Sequence, residues 1–200
     1  MASEVDVCNL ALQKMGARRI VSLTEDSPNA RDCNAVYATL RRVELRKNVW
    51  NFARKRALLA PDAETPDFGF ALQFSLPADF IRMTQNNRGE VSGVGRRRTL
   101  GQPVVDYQIE GRKLLSNEGT EIRLLYVSDI TDPNLFDPLF VDALASRMAE
   151  VLNEKINQSN SKKTTAKQDY KDAIAEAKRT NAIENQPVIS AEDSWNSERI

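Results

Sequence analysis

The sequence predicts an α+β fold: an antiparallel helical bundle, built from two N-terminal and two C-terminal helices, with an inserted antiparallel β domain. Three observations predict it. Apolar residues recur at steps of three and four toward both ends of the chain, which is the helical period. The middle of the chain alternates apolar and polar residues, which is the strand period. The order helix, helix, strands, helix, helix lets the two helical pairs meet only if the β region projects from between them.

The first helix is expected over 3–16, where Val5, Cys8, Leu12 and Met15 share a face, Ser3 caps the start and Gly16 suits the end. A loop follows with Ile20, Val21 and Leu23 as its apolar anchor. Ser27 and Pro28 read as an N-cap and first helical position, and Cys33, Val36, Tyr37, Leu40 and Val43 continue the repeat to about Asn48. These two helices, within a unit of residues 1–56, are expected to pack on each other. After Pro61 the period becomes two: Phe70, Leu72, Phe74 and Leu76, then Val105, Tyr107 and Ile109, then Ile122, Leu124 and Tyr126. Glu110-Gly111-Arg112 and Asn117-Glu118-Gly119 have hairpin chemistry, so an antiparallel meander or small sandwich is expected over 57–130. Residues 86–103, with four glycines and a triple arginine, read as a long exposed hairpin or loop.

The C-terminal pair occupies 131–185. Asp137-Pro138 opens a helix whose stripe is Phe136, Phe140, Leu144, Met148, Val151 and Leu152, running to about Gln158. The run QSNSKKTT reads as a polar link. Ala166, Tyr170, Ala173, Ile174 and Ala177 then mark a thinner, alanine-rich stripe to about Asn181. Residues 186–200 have no period and are expected to be loose in an isolated monomer.

Lys+Arg and Asp+Glu are equal at 28 each, so the molecule as a whole attracts neither a polyanion nor an anionic membrane. There is no histidine, which excludes Ser/His/Asp and Cys/His triads and His-ligated zinc. No cofactor or metal site is predicted. No run approaches the roughly 18 apolar residues of a membrane span, and no signal peptide is visible, so synthesis in a cytoplasm is expected. Cys8 and Cys33 fall on apolar helix faces, where a thiol behaves as a small hydrophobe, and a disulfide is the lesser reading.

The stretch RRVELRKNVWNFARKR, residues 41–56, carries seven basic residues against Glu44 alone, with Trp50 and Phe52 among them. One reading is an electrostatic footprint with base stacking, making a nucleic-acid-binding module together with Arg96, Arg97 and Arg98. The plainer and preferred reading buries the rings beneath the bundle and lets basic side chains near a helix C-terminus complement its dipole. Arg96 to Arg98 sit in a glycine-rich context and read as a partner contact or a solvated loop tip. Asp62, Glu64, Asp67 and Asp79 are the carboxylates from which a glycan hydrolase would have to be built, but their spacing fixes nothing. In the tail, Trp195, Arg199 and Ile200 are the candidates for ordering on a partner, and packing of Trp195 back on its own bundle is the equal alternative.

Two blocks carry a resemblance. CNLALQKMGARRIVSLTEDSPNARDCNAVYATLRRVELRKNVWNFARKRALL resembles the N-terminal helical pair of the tail tubular protein A family, the head-to-tail adaptors of short-tailed bacteriophages. YQIEGRKLLSNEGTEIRLLYVSDITDPNLFDPLFVDALASRMAEVL is similar to the strand, hairpin and long-helix segment of such phage and prophage proteins. The resemblance covers about 3–180, is loose over 60–104, and does not extend to the last residues. It implies a structural virion protein of the tail or neck, made in the host cytoplasm, and no enzyme. The implied assembly is a dodecameric ring under the portal protein that continues the channel for double-stranded DNA. The implied neighbours are the tail nozzle protein below and tail fibres at the flank, with no membrane; the resemblance implies that Arg54, Lys55 and Arg56 are available to neighbouring subunits or, as the lesser reading, to the channel lumen, and the C-terminal helices and tail are the segment expected to meet the portal.

Overall fold

The computed structural model describes residues 3–86, 89–90, 107–117, 121–157 and 160–184. The chain is α+β, with four α-helices and two small antiparallel sheets among these residues. The helices are α1 (Glu4–Met15), α2 (Pro28–Lys47), α3 (Pro138–Asn157) and α4 (Asn160–Ile183). The strands are β1 (Arg54–Leu59), β2 (Leu72–Ser75), β3 (Phe80–Asn86), β4 (Gly89–Glu90), β5 (Tyr107–Glu110), β6 (Lys113–Ser116) and β7 (Ile122–Ser128).

The helix ends follow from local chemistry. Ser3 and Asp6 form a capping box at α1, and Gly16 closes that helix at φ +72°, a conformation that costs other residues energy. Ser27 caps α2 by accepting from the Ala30 N–H, with Pro28 in the first turn. Between them, Asn9 donates to the Ile20 carbonyl at 2.9 Å and accepts from the Ile20 N–H at 2.8 Å, which seats the buried Ile20.

One hydrophobic core is shared by all four helices: Val7, Leu12, Cys33, Tyr37, Phe140, Leu144, Met148 and Ala177 belong to it. Here α1 lies mainly against α3 and meets α2 over a shorter stretch. The α2 stripe is corrected at its end. Val43 is 38 % exposed while Glu44 is fully buried, because the 3.6-residue period continues from Cys33, Tyr37 and Leu40 to position 44. The link after α3 is shorter than QSNSKKTT suggests: α4 already begins at Asn160, since exposed lysines and threonines leave a helix intact when its other face is covered.

The sheets have the strand orders β1-β7-β3-β4 and β2-β6-β5. The sequence places the first strand beyond Pro61, but β1 begins at Arg54 and pairs antiparallel with β7 from Arg54↔Val127 to Leu59↔Ile122. Because β7 sits between β1 and β3, this sheet is not a meander. The hairpin expected at Gly111 is present: β5 and β6 pair from Glu110↔Lys113 outward, and Gly111 has φ +55°. The Asn117-Glu118-Gly119 turn lies outside the described residues apart from Asn117.

Strand β7 joins two cores. Ile122, Leu124 and Tyr126 pack with Leu59, Phe74, Met83 and Leu114 between the sheets, whereas Val127 packs with the helices. An irregularity in the register between Phe80 and Arg82 breaks the alternation of β3, so Ile81 joins the helical core while Phe80 and Met83 both pack between the sheets.

Candidate functional site

The passage from α2 to β1 is where the chain concentrates its polar and aromatic contacts. Trp50 is buried, and its indole N–H donates to the Glu44 carbonyl at 2.9 Å. Its ring meets Phe140 edge-on at 5.0 Å; Phe52 also lies 5.0 Å from Phe140, and Phe136 lies 5.2 Å from it. Trp50 is committed to the core and Phe52 is half-buried against it, as the plainer reading of these rings expects.

The C-terminal end of α4 is clasped to the same passage. Asn181 Oδ1 accepts from the Asn51 N–H at 2.8 Å, its Nδ2 donates to the Val49 carbonyl at 2.8 Å, and its carbonyl accepts from Asn51 Nδ2 at 3.0 Å. A second pin lies one turn before the end of α2. Glu44 is fully buried, yet its carboxylate accepts from Lys47 Nζ at 2.6 Å and from the Tyr170 hydroxyl at 3.0 Å, and Arg147 Nε stands 3.9 Å away. Burial raises the Tyr170 pKa; burial works against the Lys47 charge, but its bonds to Glu44 and Tyr170 outweigh this and hold it above its ordinary range. The arrangement ties α2, α3 and α4 together. It was legible only as a misfit, an acid standing on the apolar stripe of α2.

Beyond the clasp, Arg54, Lys55 and Arg56 run along β1, the outermost strand of its sheet among the described residues. They do not form one cationic cluster, because successive side chains point to opposite faces. Lys55 lies on the same side as Ala57 and Leu59 and reaches Asp79 at 2.6 Å. Asp79 also accepts from the Tyr126 hydroxyl at 2.9 Å. Burial acts to raise the Asp79 pKa, but Lys55 and Tyr126 outweigh it and hold it below the usual carboxylate value; Tyr126 is pushed up to about 12 by burial and then by Asp79. The other side of the strand shows the half-buried Arg54, the exposed Arg56 and Leu58, which is 62 % exposed. This is a short strip of mixed cationic and apolar character on a strand edge.

The remaining carboxylates are dispersed. Asp62 accepts from Ser75 at 2.9 Å and from Lys113, and Lys113 first and Ser75 after it lower its pKa against the effect of burial. Glu64 and Asp67 are exposed in the connection between β1 and β2. A glycosidase general acid needs a raised pKa, and Asp62 and Asp79, in separate connections between strands, are shifted the other way.

Arg96, Arg97, Arg98, Trp195, Arg199 and Ile200 lie outside the described residues. Among the described residues no group of three or more His, Cys, Asp or Glu could hold a metal ion, and no helix is long and apolar enough to cross a membrane. Cys8 and Cys33 are free thiols buried between α1 and α2; the Cys33 thiol and burial raise the Cys8 pKa. In comparisons with known proteins, no family model matches the chain and no curated protein is similar to it.

Proposed function

We propose that this chain is a structural virion protein, a head-to-tail adaptor of a short-tailed bacteriophage, and that its four helices act as one bundle carrying an inserted β domain. The observation that carries the reading is the shared core. Helices from both ends of the chain bury one cluster of side chains, while the strands between them have a second cluster of their own. That layout agrees with what the sequence resemblance implies, and the resembling blocks supply α1, α2, β7 and α3. The proposal assigns no catalytic step.

A closed ring needs two different complementary patches on each subunit. The Arg54, Arg56 and Leu58 strip on the outer strand suits one of them, since guanidinium groups beside an apolar residue match an acidic and apolar counterpart. Balanced charge limits repulsion between crowded copies, and weak DNA affinity favours release of a genome through the channel. The basic strip therefore faces a neighbouring subunit and the bore is mixed or acidic.

Electron microscopy of the chain mixed with the portal protein of the phage or prophage that encodes it tests the reading. The expected particle is a ring of twelve copies seated on the portal, broken by Arg56→Glu with the fold intact. A chain that stays monomeric and ignores that portal refutes the proposal, and a ring with Arg54 to Arg56 lining its bore refutes the placement of the strip. Salt-sensitive binding of a DNA duplex by the isolated chain would favour the nucleic-acid module instead.

A further inference from the structure

Two exposed patches of the β region match each other in shape of charge. The connection between β1 and β2 carries Glu64, Asp67 and Phe68, all exposed, and the Phe68 ring is 88 % exposed. On β1 the exposed Leu58 shares its side of the strand with the exposed Arg56 and stands directly opposite Arg123 of β7, whose side chain is 80 % exposed. Arg123 lies 4.0 Å from Glu121, and so long and exposed an ion pair does little to hold its guanidinium in place. Each patch therefore sets one apolar side chain beside two charges of one sign, acidic in the loop and basic on the strands.

The loop is held at both ends. Pro61 bridges to Phe74, the Asp62 N–H donates to the Gln73 carbonyl at 2.8 Å, and the Asp62 carboxylate accepts from Ser75 at 2.9 Å and from Lys113. At the far end the Ala71 N–H donates to Asn117 Oδ1 at 2.8 Å, after Gly69 at φ +85° lets the chain turn. Phe68 is displayed on an anchored segment, so covering it costs less ordering than capture of a free end would.

The patches also face opposite ways. Ala57, Leu59, Ile122 and Leu124 pack between the sheets with Phe74 and Leu114. Side chains alternate along a strand, so Arg56, Leu58 and Arg123 lie on the outer face of the first sheet. By the same alternation Ser75 and Lys113, which hold Asp62 at the start of the loop, lie on the outer face of the second. Packed sheets stand about 10 Å apart, and both of them separate the strip from the root of the loop. The complement of each patch is thus placed on another copy, in the head-to-tail sense that builds rings or filaments.

We propose that the Glu64 to Phe68 loop of one copy docks on the Arg56, Leu58 and Arg123 patch of the next, with Phe68 against Leu58 and the two carboxylates on the two guanidinium groups. The inference rests on the adaptor reading for its choice of a second copy as occupant, and it names the second of the two patches that a closed ring needs.

Charge exchange tests the contact, read by sedimentation velocity of the chain alone and by electron microscopy of the chain on its portal. The strip variant, Arg56→Glu with Arg123→Glu, and the loop variant, Glu64→Lys with Asp67→Lys, are each expected to abolish association between copies with far-UV circular dichroism unchanged. Mixed in equal amounts they are expected to associate again in alternation, because every loop then meets a strip of opposite charge. Phe68→Ser, which leaves all the charges in place, is expected to weaken association about tenfold or more. Association that survives both charge variants, or a mixture of the two that stays apart, overturns the proposal. If those variants ring the portal as well as the native chain does, the contact falls and the adaptor reading stands. Copies that join through loop and strip but ignore the portal leave the contact and overturn the adaptor reading, and native copies that stay single both alone and with the portal overturn both.

Discussion

Replacing Glu44 by alanine tests whether the buried carboxylate holds the helices together. The side chain is fully buried and accepts from Lys47 and Tyr170, with Arg147 Nε 3.9 Å away. Removing one member of a buried ion pair costs about 3–5 kcal/mol when the other charge stays buried. Lys47 is 37 % exposed at its side chain and turns to water, and Arg147 keeps Glu150, so the low end applies. Loss of the acceptor for the Tyr170 hydroxyl adds about 1 kcal/mol. The expected total is about 3–4 kcal/mol, read as a lower urea midpoint at unchanged slope. Tyr170→Phe alone is expected to cost about 1 kcal/mol, and the double variant is expected to cost about 1 kcal/mol less than the sum, because the two side chains share one bond. A Glu44→Ala chain within about 0.5 kcal/mol of the parent, or a strictly additive cycle, refutes this account of the junction.

Asn181→Ala removes the two side-chain bonds of the clasp and is expected to cost about 1–2 kcal/mol; hydrogen exchange should quicken at the Asn51 amide and over 181–184 while the α3 amides stay protected. The Asp79 pKa is depressed on folding, so its contribution to stability is present above the unfolded carboxylate value of about 4 and is lost as pH falls below that; Lys55→Met should flatten that part of an acid-unfolding curve. Cys8 and Cys33 should resist a thiol reagent in the folded chain and react together once urea unfolds it, because both are buried in the helical core.

The helices and their caps were readable because they rest on local rules. Ser3, Gly16, Ser27 and Pro28 act within a few residues of themselves, and the stripes of α1 and α3 repeat with the helix. Strand β1 was not readable in this way. Arg54-Lys55-Arg56 has no apolar alternation, and it becomes a strand only because β7, far away in sequence, offers it an edge. Glu44 shows a different failure: the periodicity points to position 44 as an inward one, but an acid there suggests the outside until Tyr170 and Lys47 are seen to satisfy it. The patch of Arg56, Leu58 and Arg123 could not be read at all, since its members come from two strands that sequence spacing does not relate.

The polar pins also explain how a helix as poor in large apolar residues as α4 is held in one register. Among its described side chains only Ala166 and Ala177 are buried. Alanine burial is non-directional and small, so a slip by one turn, about 5.4 Å, would cost α4 little on apolar grounds. Hydrogen bonds tie it at three points among others: Asn153 Nδ2 donates to the Lys162 carbonyl at 2.9 Å, Tyr170 meets Glu44, and Asn181 meets Val49 and Asn51. A slip breaks all three at once, which makes the register discrete and fixes where the C-terminal segment leaves the molecule. Replacing Asn153, Tyr170 and Asn181 together by Leu, Phe and Leu is therefore expected to keep helical circular dichroism while the α4 amides give several resonances each. A single sharp set of α4 resonances in that variant would show that the alanine stripe alone specifies the register.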